Sequence, residues 1–364
     1  MEREAEGNRK GEPLERQYMK GVRHLCDSGV TSVPAKYVLP ISDRPNAKGR
    51  HSTPSDLNLE LPIIDLADLY SPNRGRVLGS LAKACEEHGF FQVVNHGVPI
   101  EVIRDVIDAT RRFFELPFEE RAGYMSSDVF APVRYGTSFN QNNDGVFCWR
   151  DFLKLSCHPL PRVLPHWPCT PADLRQRAMA YAKETRGLFL ALMEAVLETL
   201  GVDKKPVMEE LADGTQMMVV NYFPACPEPD LTLGMPPHSD FGFLTLLLQD
   251  GVEGLQIQQR GEWVTVDIAA GALVVNVGDH LEIFSNGRYQ SLLHRVTVNS
   301  ALPRISVASF HGLPAESVVR PAPQLLTGDN PRRYVDTDFA SFLHHLSSRQ
   351  SKGKNFLQSR KLMR

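Results

Sequence analysis

The chain has 364 residues, 42% of them hydrophobic and 23% charged, and a formal net charge of −3. That is the composition of a soluble globular protein long enough to bury one large core or two smaller ones, and its charge argues against a basic surface built for nucleic acid. No apolar run approaches the ~20 residues of a membrane-spanning helix, and the polar start MEREAEGNRKGEPLERQ lacks the apolar stretch of a signal peptide. The cytoplasm is the expected compartment, with the nucleus not excluded. Six scattered cysteines (Cys26, Cys85, Cys148, Cys157, Cys169, Cys226) form no CxxC pair, so reduced thiols are expected.

Residues 1–55 are rich in charge, Pro, Gly and Ser and read as an extended or partly disordered arm. LPIIDLADL (61–69) begins as a short strand. RGRVLGSLAKACEEH (74–88) has helical spacing, with Val77, Leu81 and Ala84 on one stripe. GFFQVVNHG (89–97) is a strand, and residues 100–115 return to helix with Ile100, Ile103, Ile107 and Phe114 near one face. FLKLSCH (152–158) is a strand candidate, and a long helix is expected from Asp173 to a stop at Gly201.

After Gly214 the pattern changes to short strands between Gly, Asp and Asn turns: QMMVVNYF, FLTLLLQD, GLQIQQ, EWVTVDI, ALVVNVG, SLLHRVTVN and RISVASFHG. The resulting fold class is mainly β with flanking helices (α+β), an all-β barrel or sandwich fronted by helices. No nucleotide-binding glycine loop is present. The expected divisions are the arm at 1–55, a mostly helical region at 56–210, the β core at 211–320, and a C-terminal helix with a polar tail at 321–364.

In PPHSDFGFLTLLLQD (236–250), His238 and Asp240 stand two positions apart before an apolar run. Residues two apart on a strand face the same side, so both could point into one cavity as two-thirds of a metal site. Iron(II) sites of the facial type use two histidines and one carboxylate. His294, between two strand-like runs, is the favoured third ligand over His280, His311, His344 and His345. Arg304 and Ser306 follow in RIS, again two apart; a guanidinium fork plus a hydroxyl on one face suits the distal carboxylate of a small dicarboxylic acid. An exposed strand edge or a protein carboxylate would also account for Arg304.

Together HSD, His294 and RIS, with CEEHGFFQVVNHG, FFELPFEER, NYFPACPEPDLTLGMPPHSD and GALVVNVGDHLEIFSNGRYQSLLHRV, resemble the plant iron(II)- and 2-oxoglutarate-dependent dioxygenases over roughly residues 60–345. VPAKYVLPISDRP and WRDFLKLSCHPLP look most like the branch containing downy-mildew-resistance oxygenases and flavone synthases. The resemblance implies a distorted double-stranded β-helix (jelly-roll) core. It implies Fe(II) on His238, Asp240 and His294, with 2-oxoglutarate as co-substrate, dioxygen as oxidant and ascorbate to keep iron reduced. Arg304 and Ser306 would take the far carboxylate of 2-oxoglutarate, with Asn221 beside it. In NYFP the family's tyrosine falls on Phe223, with Tyr222 one place off; only a strand bulge would let Tyr222 supply the hydroxyl.

The implied reaction is hydroxylation or desaturation of a small, apolar or aromatic plant metabolite, without a nucleic-acid or membrane partner. Phe310, Phe241, Phe139 and Phe243 are candidates to flank that substrate, with the loop around Phe147 and Trp149; core packing would equally explain each. A related iron oxidase that does not consume 2-oxoglutarate, or a non-catalytic jelly-roll binding protein, would share many of these features. The oligomeric state leaves no trace in the sequence.

Overall fold

The computed structural model describes residues 18–45, 58–138, 144–342 and 355–362. Its strands, in chain order, are β1 (Asn58–Glu60), β2 (Ile63–Asp65), β3 (Phe90–Val94), β4 (Val133–Thr137), β5 (Asp151–Ser156), β6 (Thr215–Phe223), β7 (Met235–His238), β8 (Leu244–Gln249), β9 (Leu255–Gln259), β10 (Glu262–Asp267), β11 (Leu273–Val277), β12 (His294–Val296) and β13 (Arg304–Gly312). They form two sheets. The larger has the order β2-β3-β11-β8-β13-β6-β5-β4, and the smaller β1-β10-β9-β12-β7.

Alternation along the strands gives the large sheet two unlike faces. On β13, Ile305 and Val307 join the main core with Leu153 of β5, Val220 of β6 and Leu246 of β8. That face is closed by helices: α1 (Val22–Asp27) is tied to β5 through Asp151, while α2 (Arg74–Lys83), α3 (Ile100–Glu115) and α4 (Leu174–Leu200) pack in the helical layer. Two shorter helices, α5 (Lys204–Ala212) and α6 (Asp279–Phe284), follow α4 and β11. The opposite, inward face carries Arg304, Ser306, Ala308 and Phe310 on β13, in register with Phe223, Asn221, Val219 and Met217 on β6. Between the sheets, Leu61, Phe90, Leu255, Ile257, Val266 and Val274 form a separate apolar cluster at one end.

α4 spans the stretch expected for it and stops at Gly201, whose φ of 69° is the left-handed conformation that ends a helix. α3 occupies 100–115 as expected, and Ile103, Ile107 and Phe114 of its expected face pack on the main core. Val106, Ala109, Thr110, Phe113 and Phe114 face the core, whereas Ile100 is 67% exposed. The Thr110 hydroxyl bonds back to the Val106 carbonyl at 2.6 Å, which lets a polar residue occupy the buried stripe. Around His280, the string GDH begins α6, with Gly278 at its N-cap.

Two of the expected divisions look different in three dimensions. Residues 56–210 are not only helical, because they supply β1 to β5 and so both ends of the large sheet. Within the arm, residues 18–45 are packed rather than extended: Val22, Leu25 and Tyr37 bury against Phe147, Trp149 and Cys226. Asp151, fully buried, accepts hydrogen bonds from the Val22 and Arg23 amides at 2.8 and 2.9 Å and so ties α1 to β5. Gly21 is needed there, since a Cβ on it would stand 2.5 Å from an Asp151 oxygen. All six cysteines are free, and among the described residues no helix is long and apolar enough to cross a membrane.

Candidate metal and co-substrate site

His238 and His294 are directly opposite one another where β7 pairs with β12. His238 is the last residue of β7, so strand parity does not place Asp240; the turn leading to β8 does. There the Asp279 amide donates to the Asp240 carbonyl at 2.7 Å, fixing the turn against α6. An Asp240 carboxylate oxygen lies 3.8 Å from His238 Nε2 and 3.6 Å from His294 Nε2. The ligand atoms of all three lie within 4.8 Å of one another, the one such group of His, Cys, Asp and Glu side chains among the described residues.

The surroundings orient these groups for a cation. His238 Nδ1 is 2.8 Å from the Pro236 carbonyl and His294 Nδ1 is 3.4 Å from that of Leu292. A carbonyl can only accept, so the proton on each ring sits on Nδ1 and both Nε2 lone pairs face the centre. Asn276 Nδ2 donates to the second Asp240 oxygen at 2.7 Å. Burial alone would raise the Asp240 carboxyl, but His294, His238 and the Asn276 and Thr245 hydrogen bonds hold it below its ordinary value. Burial, with the nearby His294, depresses His238 to about 3. A neutral imidazole pair beside an ionised carboxylate is the donor set that a divalent metal needs.

Arg304 and Ser306 lie on the inward face of β13, both 2% exposed; further along that face Phe310 stands opposite Thr245, which hydrogen-bonds Asp240. Arg304 Nε donates to the Val252 carbonyl at 3.0 Å and Nη2 to Gln249 Oε1 at 2.7 Å, while Nη1 is 3.4 Å from the Ser306 hydroxyl. Burial lowers its guanidinium to about 10. Asp250, whose charge it feels, instead accepts from the Ile305 amide at 2.9 Å and from Arg111 at 3.4 Å. No described carboxylate pairs with Arg304, so the strand edge and the protein ion pair weighed above are both set aside. Gly254 gives the side chain room: a Cβ there would lie 3.2 Å from Arg304 Cδ and 2.9 Å from the Thr297 carbonyl.

Asn221 and Phe223 face the same way as Ser306 and Arg304, their cross-strand partners. Asn221 Nδ2 is 3.4 Å from the Ser306 hydroxyl. β6 runs without a bulge through this pairing, so Tyr222 points to the opposite face. Its ring stacks on Phe114 at 5.1 Å, and its hydroxyl accepts from Arg23 at 3.2 Å.

The aromatic candidates separate by location. Phe310 is partly buried on the inward face, opposite Thr245 and Met217. Phe241 is partly buried and contacts Phe339, Phe342 and Phe356 of the C-terminal segment, with ring centroids 5.3, 4.1 and 5.8 Å away. Phe243 is wholly buried in the main core, with its ring 5.9 Å from that of Phe284; its position corrects the expectation that it flanks a substrate. Phe147 and Trp149 belong to the cluster under the N-terminal segment. The His280 ring packs tilted against Phe241 at 4.0 Å and His311 stacks on Phe189 at 4.4 Å, and neither belongs to the metal trio. Phe139, His344 and His345 lie outside the described residues.

Sequence reasoning missed Asn276, Gln249 and Arg150. Arg150 Nε donates to Asn221 Oδ1 at 2.7 Å. The alternation of WRDFLK, which puts Arg150, Phe152 and Lys154 on one face, was the signal that could have found it.

Two histidines and a carboxylate converging inside a two-sheet jelly roll define a mononuclear non-haem metal centre. Residues 214–313 match the 2OG-Fe(II) oxygenase superfamily, and residues 61–174 match the N-terminal region of non-haem dioxygenase in morphine synthesis. The chain belongs to the 2OG-Fe(II) oxygenase superfamily and is an enzyme using Fe(II) and 2-oxoglutarate. It is 40% identical over 317 residues to protein DMR6-LIKE OXYGENASE 2 of Arabidopsis thaliana, covering 86% of this chain and 90% of that one. Flavanone 3-dioxygenase 2 of Oryza sativa subsp. japonica is 42% identical over 320 residues, or 87% and 91% of the two chains. The crystal structure of JOX2 in complex with 2OG, Fe and JA superposes with a TM-score of 0.83 at 31% identity, over 94% of this chain and 98% of that one.

Proposed function

We propose that the chain oxidises a small, aromatic or apolar plant metabolite by hydroxylation or desaturation, with succinate and carbon dioxide as co-products. The observation that carries the reading is Arg304, a buried guanidinium beside Ser306 on the inward face of β13, the face on which Phe310 stands opposite Thr245, a hydrogen-bond partner of Asp240. An uncompensated buried cation is costly, and the far carboxylate of 2-oxoglutarate would answer it with a two-pronged, charge-assisted contact.

In this reading His238, Asp240 and His294 would hold the iron, Arg304 and Ser306 would hold the 5-carboxylate, and Asn221 and Phe223 would flank the co-substrate. When bound, iron and 2-oxoglutarate would together supply the oxidising power for dioxygen chemistry. The protein's own work is positional. The Pro236 and Leu292 carbonyls set the histidine tautomers, Asn276 keeps Asp240 turned inward, and the apolar wall formed by Val219, Ala308 and Phe310 shields the reacting carbon from water. Domain divisions at 55, 210 and 320 remain useful as a map of the chain, with the catalytic residues all between 211 and 320.

The test is to supply iron, ascorbate, 2-oxoglutarate and air with a panel of phenolic, flavonoid and hormone-like compounds. Mass spectrometry should find a product heavier by one oxygen or lighter by two hydrogens, in step with succinate. Product formed at full rate without 2-oxoglutarate would overturn the proposal.

A further inference from the structure

Two guanidinium groups face the interior of this site, and 2-oxoglutarate accounts for one. The second belongs to Arg150. Arg150 lies just before β5, and its Nε donates to Asn221 Oδ1 at 2.7 Å, on the face where Phe152 pairs with Asn221. Asn221 Nδ2 is in turn 3.4 Å from the Ser306 hydroxyl, which is 3.4 Å from Arg304 Nη1. Asn221 and Ser306 thus connect the two guanidinium groups, and the Phe223 ring lies 5.2 Å from that of Arg304.

Arg150 is 5% exposed. Besides its bond to Asn221, Nη1 donates to the Ser138 carbonyl at 2.9 Å, and the guanidinium lies 4.8 Å from the centre of the Phe152 ring. All of these partners are neutral, and Nη2 meets no acceptor among the described residues. The carboxylates whose charge reaches it are engaged elsewhere: Asp151 holds α1 on the other face, and Asp144 accepts from the Ser138 hydroxyl at 2.6 Å.

Beyond it the same face continues basic. Lys154 follows at the next position but one after Phe152, and Arg134 is its partner on β4. Lys154 Nζ donates to the Val129 carbonyl at 2.6 Å and Arg134 Nε to that of Ser126 at 3.0 Å, again neutral acceptors. Burial lowers all three cations, Arg150 to about 10 and Lys154 to about 8. Asp128 is felt by Arg134 and Lys154 without forming an ion pair with either. Between this basic wall and the metal ligands, Val219, Ala308 and Phe310 supply an apolar floor.

We propose that Arg150, backed by Lys154 and Arg134, is the anchor for a carboxylate on the prime substrate, so that the enzyme acts on small aromatic or apolar organic acids. This rests on the function proposed above and narrows its substrate class. The anion would sit on the far side of Asn221 from the co-substrate seat, with the apolar body of the acid extending over Val219 and Ala308 toward the metal.

The experiment uses the full chain loaded anaerobically with iron and 2-oxoglutarate, and titrates trans-cinnamate and 2-naphthoate against their methyl esters by calorimetry. At least one acid should bind, and its ester at least tenfold more weakly. Arg150→Gln, which keeps a donor for Asn221, should lower acid affinity at least tenfold and 2-oxoglutarate affinity less than threefold; Lys154→Met should weaken the acid by a smaller factor. Equal binding of acid and ester, no binding of either acid, or an undiminished acid preference in both variants would overturn the anchor. A parallel loss of 2-oxoglutarate affinity in Arg150→Gln would overturn it too, by assigning the guanidinium to the co-substrate. Iron and 2-oxoglutarate binding are read before any acid is added, so failure of the oxygenase reading would appear there and not in the acid titration.

Discussion

Arg304 and Phe223 face each other across β13 and β6, the guanidinium 5.2 Å from the ring centre. Phe223 falls where the resemblance puts a tyrosine, so with 2-oxoglutarate seated as proposed its end of the site would have a π face where a hydroxyl donor would otherwise stand. The ring is also tightly seated: a Cβ on Gly234 would lie 2.6 Å from Phe223 Cδ1. Phe223→Tyr should therefore change 2-oxoglutarate affinity by less than tenfold, about 1 kcal/mol. Tyr222→Phe should leave that affinity untouched and cost about 1 kcal/mol of stability through the lost Arg23 contact. Calorimetric titration and denaturant melts separate the two effects; a weaker 2-oxoglutarate complex in Tyr222→Phe would contradict the face assignment.

Removing any one of His238, Asp240 and His294 as alanine should abolish stoichiometric iron binding, whereas His280→Ala and His311→Ala should keep it. Asn276→Ala should weaken iron by about 10–100-fold, the usual cost of losing a partner that orients a ligand. Metal analysis of protein passed over a desalting column gives the answer, and full iron content in His294→Ala would refute the ligand set.

Arg304→Lys keeps the charge but loses the planar fork, so KM for 2-oxoglutarate should rise at least tenfold. Gly254→Ala should act in the same direction by pushing on Arg304 Cδ, with a larger effect on KM than on Tm. An unchanged KM in Arg304→Lys would remove the guanidinium from the co-substrate seat.

His280 and His311 are buried, and burial depresses each from 6.5 to about 3. Their folded forms are neutral, while the unfolded chain binds protons below pH 6.5. The stability they allow is thus fully present above 6.5 and is lost as pH falls toward 3, by up to about 1.4 kcal/mol per pH unit for each group. Unfolding at pH 7.5 and 5 should show that decline, and His311→Phe should make it shallower. Equal slopes for the variant and wild type would show that His311 does not titrate on unfolding.

Much of the site was legible because its chemistry is local in sequence. HSD and RIS carry their residue types at fixed separations, and the helix at 174–200 announces itself by period and by its terminal glycine. The α3 face was read one turn too far toward its N-terminus: Ile103, Ile107 and Phe114 pack on the core, whereas Ile100 at the first turn is exposed. Phe243 was misjudged for the converse reason: nearness in sequence to a ligand does not put a side chain on the cavity side. Arg150 and Asn276 escaped because their meaning depends on pairing between distant strands. Asn276 meets Asp240 only when β11 lies beside β8, and Arg150 meets Asn221 only when β5 lies beside β6.

The order of the large sheet has a consequence for how the chain can be divided. The four central strands, β11, β8, β13 and β6, come from the segment after residue 214, while β2 and β3 flank one side and β5 and β4 the other, all from before residue 174. The catalytic segment is thus clasped at both margins by the segment that precedes it. Cut free at residue 211, it would present two bare rows of backbone donors and acceptors, the kind of surface on which chains stick to one another. It would also leave behind the arginine that touches Asn221. Inheritance of the oxygenase activity, in nature or in the hands of an engineer, therefore has to pass through both segments together.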